Sequence, residues 1–230
     1  MPERGRLQVA VASNFAGAAE QLAAGFEART GRAVALSFGS TGKHYAQIHN
    51  GAPFDLFLAA DRERPERLER EGLAAPDSRF TYALGRLALY SAEPGMVDAA
   101  GEVLDGDGFQ RLAIANPRLA PYGAAAVAVL EARGRYRALE GRLVLGENIA
   151  QTYQFVASGS AELGFVARSQ ILRPDAPAEG SWWVVPAELH PSIEQQAVRL
   201  SDRPGAAAFL AYLRGEEGRA IIRAFGYDTP

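Results

Sequence analysis

The first third of the chain alternates between short apolar runs and segments with helical periodicity. Residues 7–12, 34–38 and 54–59 are apolar runs typical of buried strands. Between them, residues 16–29 place Ala19, Leu22 and Phe26 on one helical face, and shorter helices are predicted over residues 43–49 and 63–71. Because strands that alternate with helices form parallel sheets covered by helices, the pattern predicts an α/β fold.

A second series of strands and helices follows a long extended segment. Residues 80–91 predict one extended stretch, longer than an ordinary strand, that crosses between two lobes. The later elements are strands at 112–115, 143–145 and 163–167, helices at 123–133, 149–158, 206–214 and 218–225, a loop at 173–181, and an extended segment at 195–200 that returns to the first lobe. We therefore expect lobe I to comprise residues 1–83 and 196–230, and lobe II residues 84–195.

Four predicted strand-to-helix junctions carry small hydroxyl, amide or glycine residues. These residues are Ser13 and Asn14, Ser40 and Thr41, Tyr122 and Gly123 after Pro121, and Asn148 before Ile149. Helix starts leave backbone N–H groups without intrahelical partners and carry the positive end of the helix dipole. Several starts aimed at one point would form an anion receptor. Each junction alone is equally typical of an ordinary helix cap.

Composition limits the other functions. Lys and Arg number 24 against 27 Asp and Glu, a net charge of −3, so the chain offers no broad basic field for nucleic acid or anionic lipid. The absence of cysteine excludes disulfides, thiolate metal sites and cysteine nucleophiles. No apolar run reaches the roughly 20 residues that span a bilayer. With no apolar targeting segment before Leu7, we expect either a cytosolic protein or one whose signal peptide has been removed.

Motifs for catalysis or metal binding fail on spacing. The stretch Gly39–Lys43 resembles a phosphate-binding P-loop, but Ser37 and His44 stand where that motif needs glycine and a hydroxyl residue. His44, His49 and His190 do not form a metal signature, and we expect His44 and His49 at the surface. Lys43 and His44 are the groups near the junctions that could transfer protons. An enzyme acting on an anionic substrate therefore remains an alternative.

Taken in order, several segments resemble the periplasmic molybdate-binding proteins of ABC transporters, which are type II periplasmic substrate-binding proteins. The matching segments are residues 12–14, 38–42, 51–61, 116–117, 121–123, 161–166 and 215–228. The resemblance covers nearly the whole chain. It implies two lobes, each a mainly parallel sheet flanked by helices, with the ligand in the interlobe cleft and a hinge through Tyr82 to Arg86 and Gln195 to Val198.

The same resemblance implies the ligand-binding residues. Neutral donors would hold a tetrahedral dianion: Ser13, Asn14 and Thr41 from lobe I, and the N–H groups of Tyr122 and Ile149 from lobe II. Ser40 and Gly123 are further candidates. Ala167 stands where family members often place a tyrosine hydroxyl, and Asn14 is the expected replacement donor. The resemblance implies no catalytic residue and no cofactor, and molybdenum or tungsten would enter as the oxyanion through these same residues.

The expected function is binding of molybdate or tungstate and delivery to an ABC transporter permease, by a periplasmic monomer that does not bind nucleic acid. Phosphate at neutral pH carries a proton and needs a buried acceptor, and none of the candidate residues is a carboxylate. Donor chemistry does not separate molybdate, tungstate and sulfate, so another tetrahedral oxyanion such as sulfate remains an alternative ligand. A cytosolic oxyanion-sensing effector domain is a second alternative.

Overall fold

The computed structural model describes residues 5–174 and 176–230, which divide into two compact units. Unit 1 comprises the chain up to Leu84 and from Glu194 to Pro230, and unit 2 comprises Gly85–Ile193. The lobe boundaries expected from the sequence, after residues 83 and 195, lie within two residues of these positions. Residues 1–4, which bear on the expected signal-peptide removal, and Asp175 in the expected loop lie outside the described residues.

The helices and strands follow one another in the order expected for two α/β series. The first are β1 (Leu7–Ala12), α1 (Ala16–Thr30), β2 (Val34–Gly39), α2 (Thr41–His49), β3 (Leu56–Leu58), α3 (Glu63–Arg70) and β4 (Phe80–Gly85). The next are β5 (Leu87–Ser91), β6 (Leu112–Ala115), α4 (Pro121–Ala132), α5 (Tyr136–Leu139), β7 (Leu143–Gly146), α6 (Ile149–Ala157), β8 (Leu163–Ala167), α7 (Arg168–Ile171) and β9 (Ser181–Val184). The last are β10 (Ile193–Arg199), α8 (Pro204–Arg214) and α9 (Glu216–Ala224).

Each unit contains a five-stranded mixed sheet, and the two sheets are built in the same way. The strand orders are β2-β1-β3-β10-β4 and β7-β6-β8-β5-β9. In each sheet the first three strands run parallel, and the fourth pairs antiparallel with the third. The parallel trios are the direct result of the strand–helix alternation, because a helix must carry the chain back between parallel strands. The expected α/β class with two mainly parallel sheets is confirmed.

Two expectations about the strands are corrected. Residues 80–91 do not form one strand: β4 and β5 are separated by Arg86 and belong to different sheets. The residue between them lets the chain change sheets without a loop. Sequence analysis also missed β9, which pairs with β5 beyond the expected loop and contains both tryptophans, Trp182 and Trp183.

The core of unit 1 lies between its sheet and helices α1, α8 and α9. Helix α1 buries Leu22 and Phe26, as its periodicity predicts, and Phe26 packs edge-to-face on Phe209 of α8 at 5.1 Å between ring centroids. The helix ends at Gly31, whose φ of 67° is a left-handed conformation that suits glycine. These helices pack on one face of β1. The first junction begins where β1 ends, at Ala12.

Unit 2 covers its sheet with α4 and α6. The side chains of β6 alternate, so that Leu112 and Ile114 point to one face and Ala113 to the other, and all three are buried. Val156 of α6 packs in the cluster with Ala113 and Tyr90, whose ring stacks on Tyr153 at 5.7 Å. Among the described residues, none of the helices combines the length and apolar character needed to cross a membrane.

Gly123 sets how closely α4 approaches β6. A Cβ atom added at Gly123 would collide with the carbonyl oxygen of Ala115, the last residue of β6. We expect Gly123→Ala to destabilise unit 2 by about 1–3 kcal/mol, because the helix must move away from the strand. Thermal unfolding of the variant measures the loss.

The matched control is Gly141→Ala, because nothing lies within 4 Å of the added Cβ and the position needs no left-handed backbone. It should stay within about 0.5 kcal/mol of the parent protein. Equal unfolding midpoints for the two variants would contradict the close-approach explanation.

Candidate functional site

Three neighbouring strands of unit 1 end at the same edge of the sheet. In the parallel pairing of β1 with β2, Ala12 lies opposite Gly39, and in the pairing of β1 with β3, Val11 lies opposite Leu58. The residues that follow each strand are therefore neighbours. The carboxyl ends of parallel strands are the usual ligand-binding edge of α/β sheets. The structure thus brings the expected residues Ser13, Asn14, Ser40 and Thr41 together within unit 1.

At the second junction the two hydroxyl residues make different hydrogen bonds. Ser40 is the N-cap of α2, and its hydroxyl accepts from the N–H of Lys43 at 3.4 Å. The Thr41 hydroxyl instead accepts from the main-chain N–H of Ala60, which follows β3, at 3.0 Å. Thr41 is 1% exposed. The Thr41 hydroxyl accepts this hydrogen bond through one lone pair, so its own hydrogen can still donate to another group.

At the first junction the side-chain amide of Asn14 donates two hydrogen bonds to other residues of the protein. Ser13 opens a short 3-10 turn, Ser13–Phe15, and both Ser13 and Asn14 are buried. The two hydrogens of the Asn14 amide serve Gln195 Oε1 at 2.9 Å and the Tyr227 hydroxyl at 3.0 Å. Both amide hydrogens therefore already have acceptors within the protein. The expectation that Asn14 replaces the donor missing at Ala167 stays a prediction.

His44 is buried under the first two strand ends, contrary to the expected surface position. It is 2% exposed, its Nε2 donates to the Val11 carbonyl at 3.2 Å, and its Nδ1 lies 3.0 Å from Gln47 Oε1. A Cβ atom at Gly39 would lie 3.0 Å from this Nε2, which explains the glycine there. Burial lowers the pKa of His44 because it penalises the imidazolium, while the hydrogen bonds with Gln47 and Val11 oppose that effect.

A carboxylate that sequence analysis did not single out, Asp61, follows β3 at the same edge. Burial raises the pKa of Asp61, and the neighbouring Arg64 lowers it. One carboxylate oxygen accepts from the Arg64 main-chain N–H at 3.1 Å, and the other pairs with the Arg64 guanidinium. Both carboxylate oxygens of Asp61 therefore have a hydrogen-bond partner three residues along the chain, in Arg64.

In unit 2 the corresponding strand ends are those of β6 and β7. Ala115 lies opposite Gly146, and the N–H of Asn116 donates to the Gly146 carbonyl at 2.7 Å. Asn148 is the N-cap of α6 and accepts from the N–H groups of Ala150 and Gln151 at 2.9 and 3.0 Å. The cap therefore serves the second and third residues of the helix. It leaves the N–H of Ile149, the first residue, without an intrahelical acceptor.

The other unit 2 junction begins at Pro121, the first residue of α4. Proline suits this position because it lacks the N–H that would have no partner there. Tyr122 follows in the first turn and is 1% exposed. The N–H of Gly123 donates to the Ala120 carbonyl at 2.9 Å. Gly123 is therefore a packing residue, as its approach to β6 indicates, and its expected role as a donor is not supported.

Gln170, which sequence analysis missed, bridges two strand ends of unit 2. Its Oε1 accepts from the N–H of Ala167 at 2.9 Å, and its Nε2 donates to the Ile149 carbonyl at 3.0 Å. The bridge holds the start of α6 against the end of β8. No short sequence motif signals it, because the contact joins residues 21 positions apart.

The two units share one arrangement: strands ending at a common edge, followed by helices whose first N–H groups are not all capped. Across residues 5–174 and 176–230, no group of three or more His, Cys, Asp or Glu side chains could hold a metal ion. Two α/β units with hydrogen-bond donors at the carboxyl ends of their strands are typical of the class of proteins that bind small solutes at this edge.

The family comparison agrees with this class. The family model described as bacterial extracellular solute-binding protein matches residues 7–228, and the chain belongs to that family. The molybdate-binding protein ModA of Azotobacter vinelandii is 51% identical over 224 residues, covering 96% of this chain and 89% of that protein. The molybdate-binding protein ModA of Rhodobacter capsulatus is 45% identical and covers 98% and 89%. The structure of a periplasmic molybdate-binding protein of Azotobacter vinelandii matches with a TM-score of 0.95 at 45% identity, over 98% of this chain and all of that one.

The buried imidazole of His44 makes the stability of unit 1 depend on pH. Because the pKa of His44 is lowered in the folded protein, unfolding takes up a proton once the pH falls below the ordinary histidine value of about 6.5. We expect the free energy of unfolding to fall as the pH drops from 7 towards 5. In His44→Gln this part of the pH dependence should be absent.

Urea unfolding at several pH values measures both proteins, and His49→Gln is the control because the His49 side chain is 51% exposed. The control should keep the pH dependence of the parent protein. A His44→Gln variant that keeps it as well would show that other groups cause it.

Proposed function

We propose that this protein binds molybdate or tungstate as the fully deprotonated oxyanion, with donors contributed by both units. The observation that carries the proposal is which N–H groups the N-cap side chains of α2 and α6 bind. Ser40 and Asn148 accept from N–H groups further along their helices, and we propose the Thr41 hydroxyl and the Ile149 N–H as donors to the ligand. Relatives at 51% and 45% identity that are named molybdate-binding proteins support the choice of anion.

Hydrogen bonds give enough free energy for such a site. A hydrogen bond to a charged group contributes about 1.5–3 kcal/mol, so about six donors would give roughly 9–18 kcal/mol before costs. Desolvation of the anion and ordering of the protein reduce that sum. A micromolar dissociation constant needs about 8 kcal/mol net, which lies within this range.

The candidate site residues include no carboxylate, which favours a ligand that carries no proton. Protonated phosphate needs an acceptor, and none of the candidate residues is a carboxylate; Asp61, which follows β3, is paired with Arg64. Ser13, Asn14, Thr41, Tyr122 and Ile149 offer hydroxyl and N–H donors to an anion. We therefore propose discrimination against phosphate by the lack of an acceptor, and against sulfate by the size of the anion.

We further propose a binding role without catalysis. Of the two groups considered for proton transfer, His44 has its ring nitrogens directed at Val11 and Gln47, and the Lys43 side chain is exposed. In this proposal the protein is a periplasmic monomer that needs no cofactor, has its hinge in the crossover segments and presents the oxyanion to an ABC transporter permease.

Calorimetric titration with molybdate, tungstate, sulfate and phosphate tests the ligand. We expect micromolar or tighter binding of molybdate and tungstate, at least tenfold weaker binding of sulfate (about 1.4 kcal/mol) and no binding of phosphate. Tryptophan fluorescence is a second readout from unit 2, because Trp182 and Trp183 both lie in β9. If the protein bound sulfate tightly and bound neither molybdate nor tungstate, the proposal would be wrong and sulfate would be the ligand.

Substitutions at Ser40 and Thr41 separate ligand binding from capping. Thr41→Val keeps the shape but removes the hydroxyl, and we expect the molybdate affinity to fall about 10- to 100-fold, the loss of one hydrogen bond to a charge. Ser40→Ala removes the cap of α2 and should cost about 1 kcal/mol of stability with little effect on affinity. Calorimetry and thermal unfolding of both variants make the comparison.

Thr41→Ser is the conservative control, because it keeps a hydroxyl that can accept from Ala60 and donate to the anion. It should bind within a few-fold of the parent protein. If Thr41→Val and Ser40→Ala lose affinity equally, the junction acts through helix stability and Thr41 is not a ligand.

A further inference from the structure

Tyr227, close to the end of the chain, holds Asn14 at two points. Its hydroxyl donates to the main-chain carbonyl of Asn14 at 2.7 Å and accepts from the Asn14 side-chain amide at 3.0 Å. The tyrosine is 3% exposed and Asn14 is 5% exposed. A hydroxyl that donates to the backbone and accepts from the side chain of one residue fixes the orientation of that residue's peptide unit.

Gln195 and Tyr82 extend this contact into a buried network. Gln195 Oε1 accepts from the Asn14 amide at 2.9 Å and from the Tyr82 hydroxyl at 3.0 Å. The Tyr82 hydroxyl also lies 3.1 Å from the carbonyl oxygen of Ala59, which follows β3. Gln195 is fully buried, and burial raises the pKa of Tyr82 well above its usual value, so the hydroxyl keeps its hydrogen at every working pH.

The same tyrosine rings pack on the residue after Asn14. Phe15 contacts Tyr82 and Tyr227 edge-to-face, with ring centroids 4.8 and 5.3 Å apart. Replacing either tyrosine by phenylalanine keeps these ring contacts and removes the hydroxyl. The hydrogen-bonding role of each tyrosine is thus separable from its packing role.

The network reaches both places where the chain leaves unit 1. Tyr82 lies in β4, two residues before Leu84, and Gln195 lies in β10, one residue after Glu194. Asn14 is therefore tied to Gln195 directly and to Tyr82 through Gln195. Hydrogen bonds therefore connect both of these strands to the turn that carries Ser13 and Asn14.

We propose that Tyr227, Gln195 and Tyr82 are positioning residues that hold the Ser13–Phe15 turn in the orientation needed to donate to the oxyanion, and that couple this turn to both crossover strands. The proposal rests on the proposed function. Main-chain donors must be held to within about half an ångström of their productive geometry, and a 3-10 turn of three residues has few hydrogen bonds of its own to hold it.

Three tyrosine-to-phenylalanine variants test the proposal. Tyr227→Phe removes the direct contacts with Asn14, and Tyr82→Phe removes a contact one step further away. Tyr90→Phe is the control, because the Tyr90 hydroxyl donates to the Glu179 carbonyl within unit 2. Calorimetry measures the molybdate affinity of each, thermal unfolding measures stability, and NMR hydrogen exchange in the free protein measures protection of the amides of residues 13–16.

We expect Tyr227→Phe to weaken molybdate binding by about 2- to 30-fold and to speed exchange of these amides, with a smaller change in Tyr82→Phe and none in Tyr90→Phe. Tyr82 shares its one hydroxyl hydrogen between the Ala59 carbonyl and Gln195 Oε1, whereas Tyr227 donates to and accepts from Asn14. If both hydroxyls contributed only to stability, the order of the affinities would follow the order of the unfolding midpoints. That order, or parental affinity in Tyr227→Phe, would overturn the proposal.

The outcomes also separate this inference from the proposed function. If the parent protein does not bind molybdate, the proposed function fails, and hydrogen exchange in the free protein then decides alone whether the network holds the turn. Unchanged exchange in Tyr227→Phe would overturn the positioning role in that case. If the parent protein binds molybdate and Tyr227→Phe behaves in the same way, the function stands and the inference fails.

Discussion

The parallel register of neighbouring strands is the constraint on which the rest of the structure depends. Ala12 opposite Gly39 in unit 1 and Ala115 opposite Gly146 in unit 2 make two strands stop at the same level, so the helices that follow them start side by side. A slip of one residue would turn every side chain of a strand to the other face. The helix starts within each unit would then no longer lie side by side.

Helix capping then decides which donors remain available. A side-chain oxygen at the N-cap serves N–H groups one or two residues into the helix, as Asn148 does for Ala150 and Gln151. The first N–H is left out by the same geometry. Capping and anion binding can therefore use different groups of one helix start. At the second junction Ser40 is the cap, and Thr41 is the residue proposed for the anion.

The sequence predicts the parts of the fold that follow from local periodicity. The strand at residues 7–12, the helix starting at Ala16 and the strand at 163–167 were predicted within a residue of their observed ends, because apolar runs and helical faces are properties of adjacent residues. The change of sheet at Arg86 was not predictable, since β4 and β5 form one continuous apolar pattern. Among the candidate site residues, the donor roles expected of Thr41 and Ile149 stay predictions. Asn14 contacts Gln195 and Tyr227, 181 and 213 positions away, and His44 contacts Val11, 33 positions away. No local pattern reveals contacts between residues so far apart in the sequence.

The contact between Asn14 and Tyr227 joins residues 213 positions apart. Unit 2 is continuous in sequence and can complete its own sheet from residues 85–193. Unit 1 cannot, because β4 joins its sheet through β10, and Tyr227 follows two further helices. During synthesis the second unit in the sequence is therefore the first that can finish folding, and the Ser13–Phe15 turn gains its hydrogen-bonded support when almost the entire chain has been made.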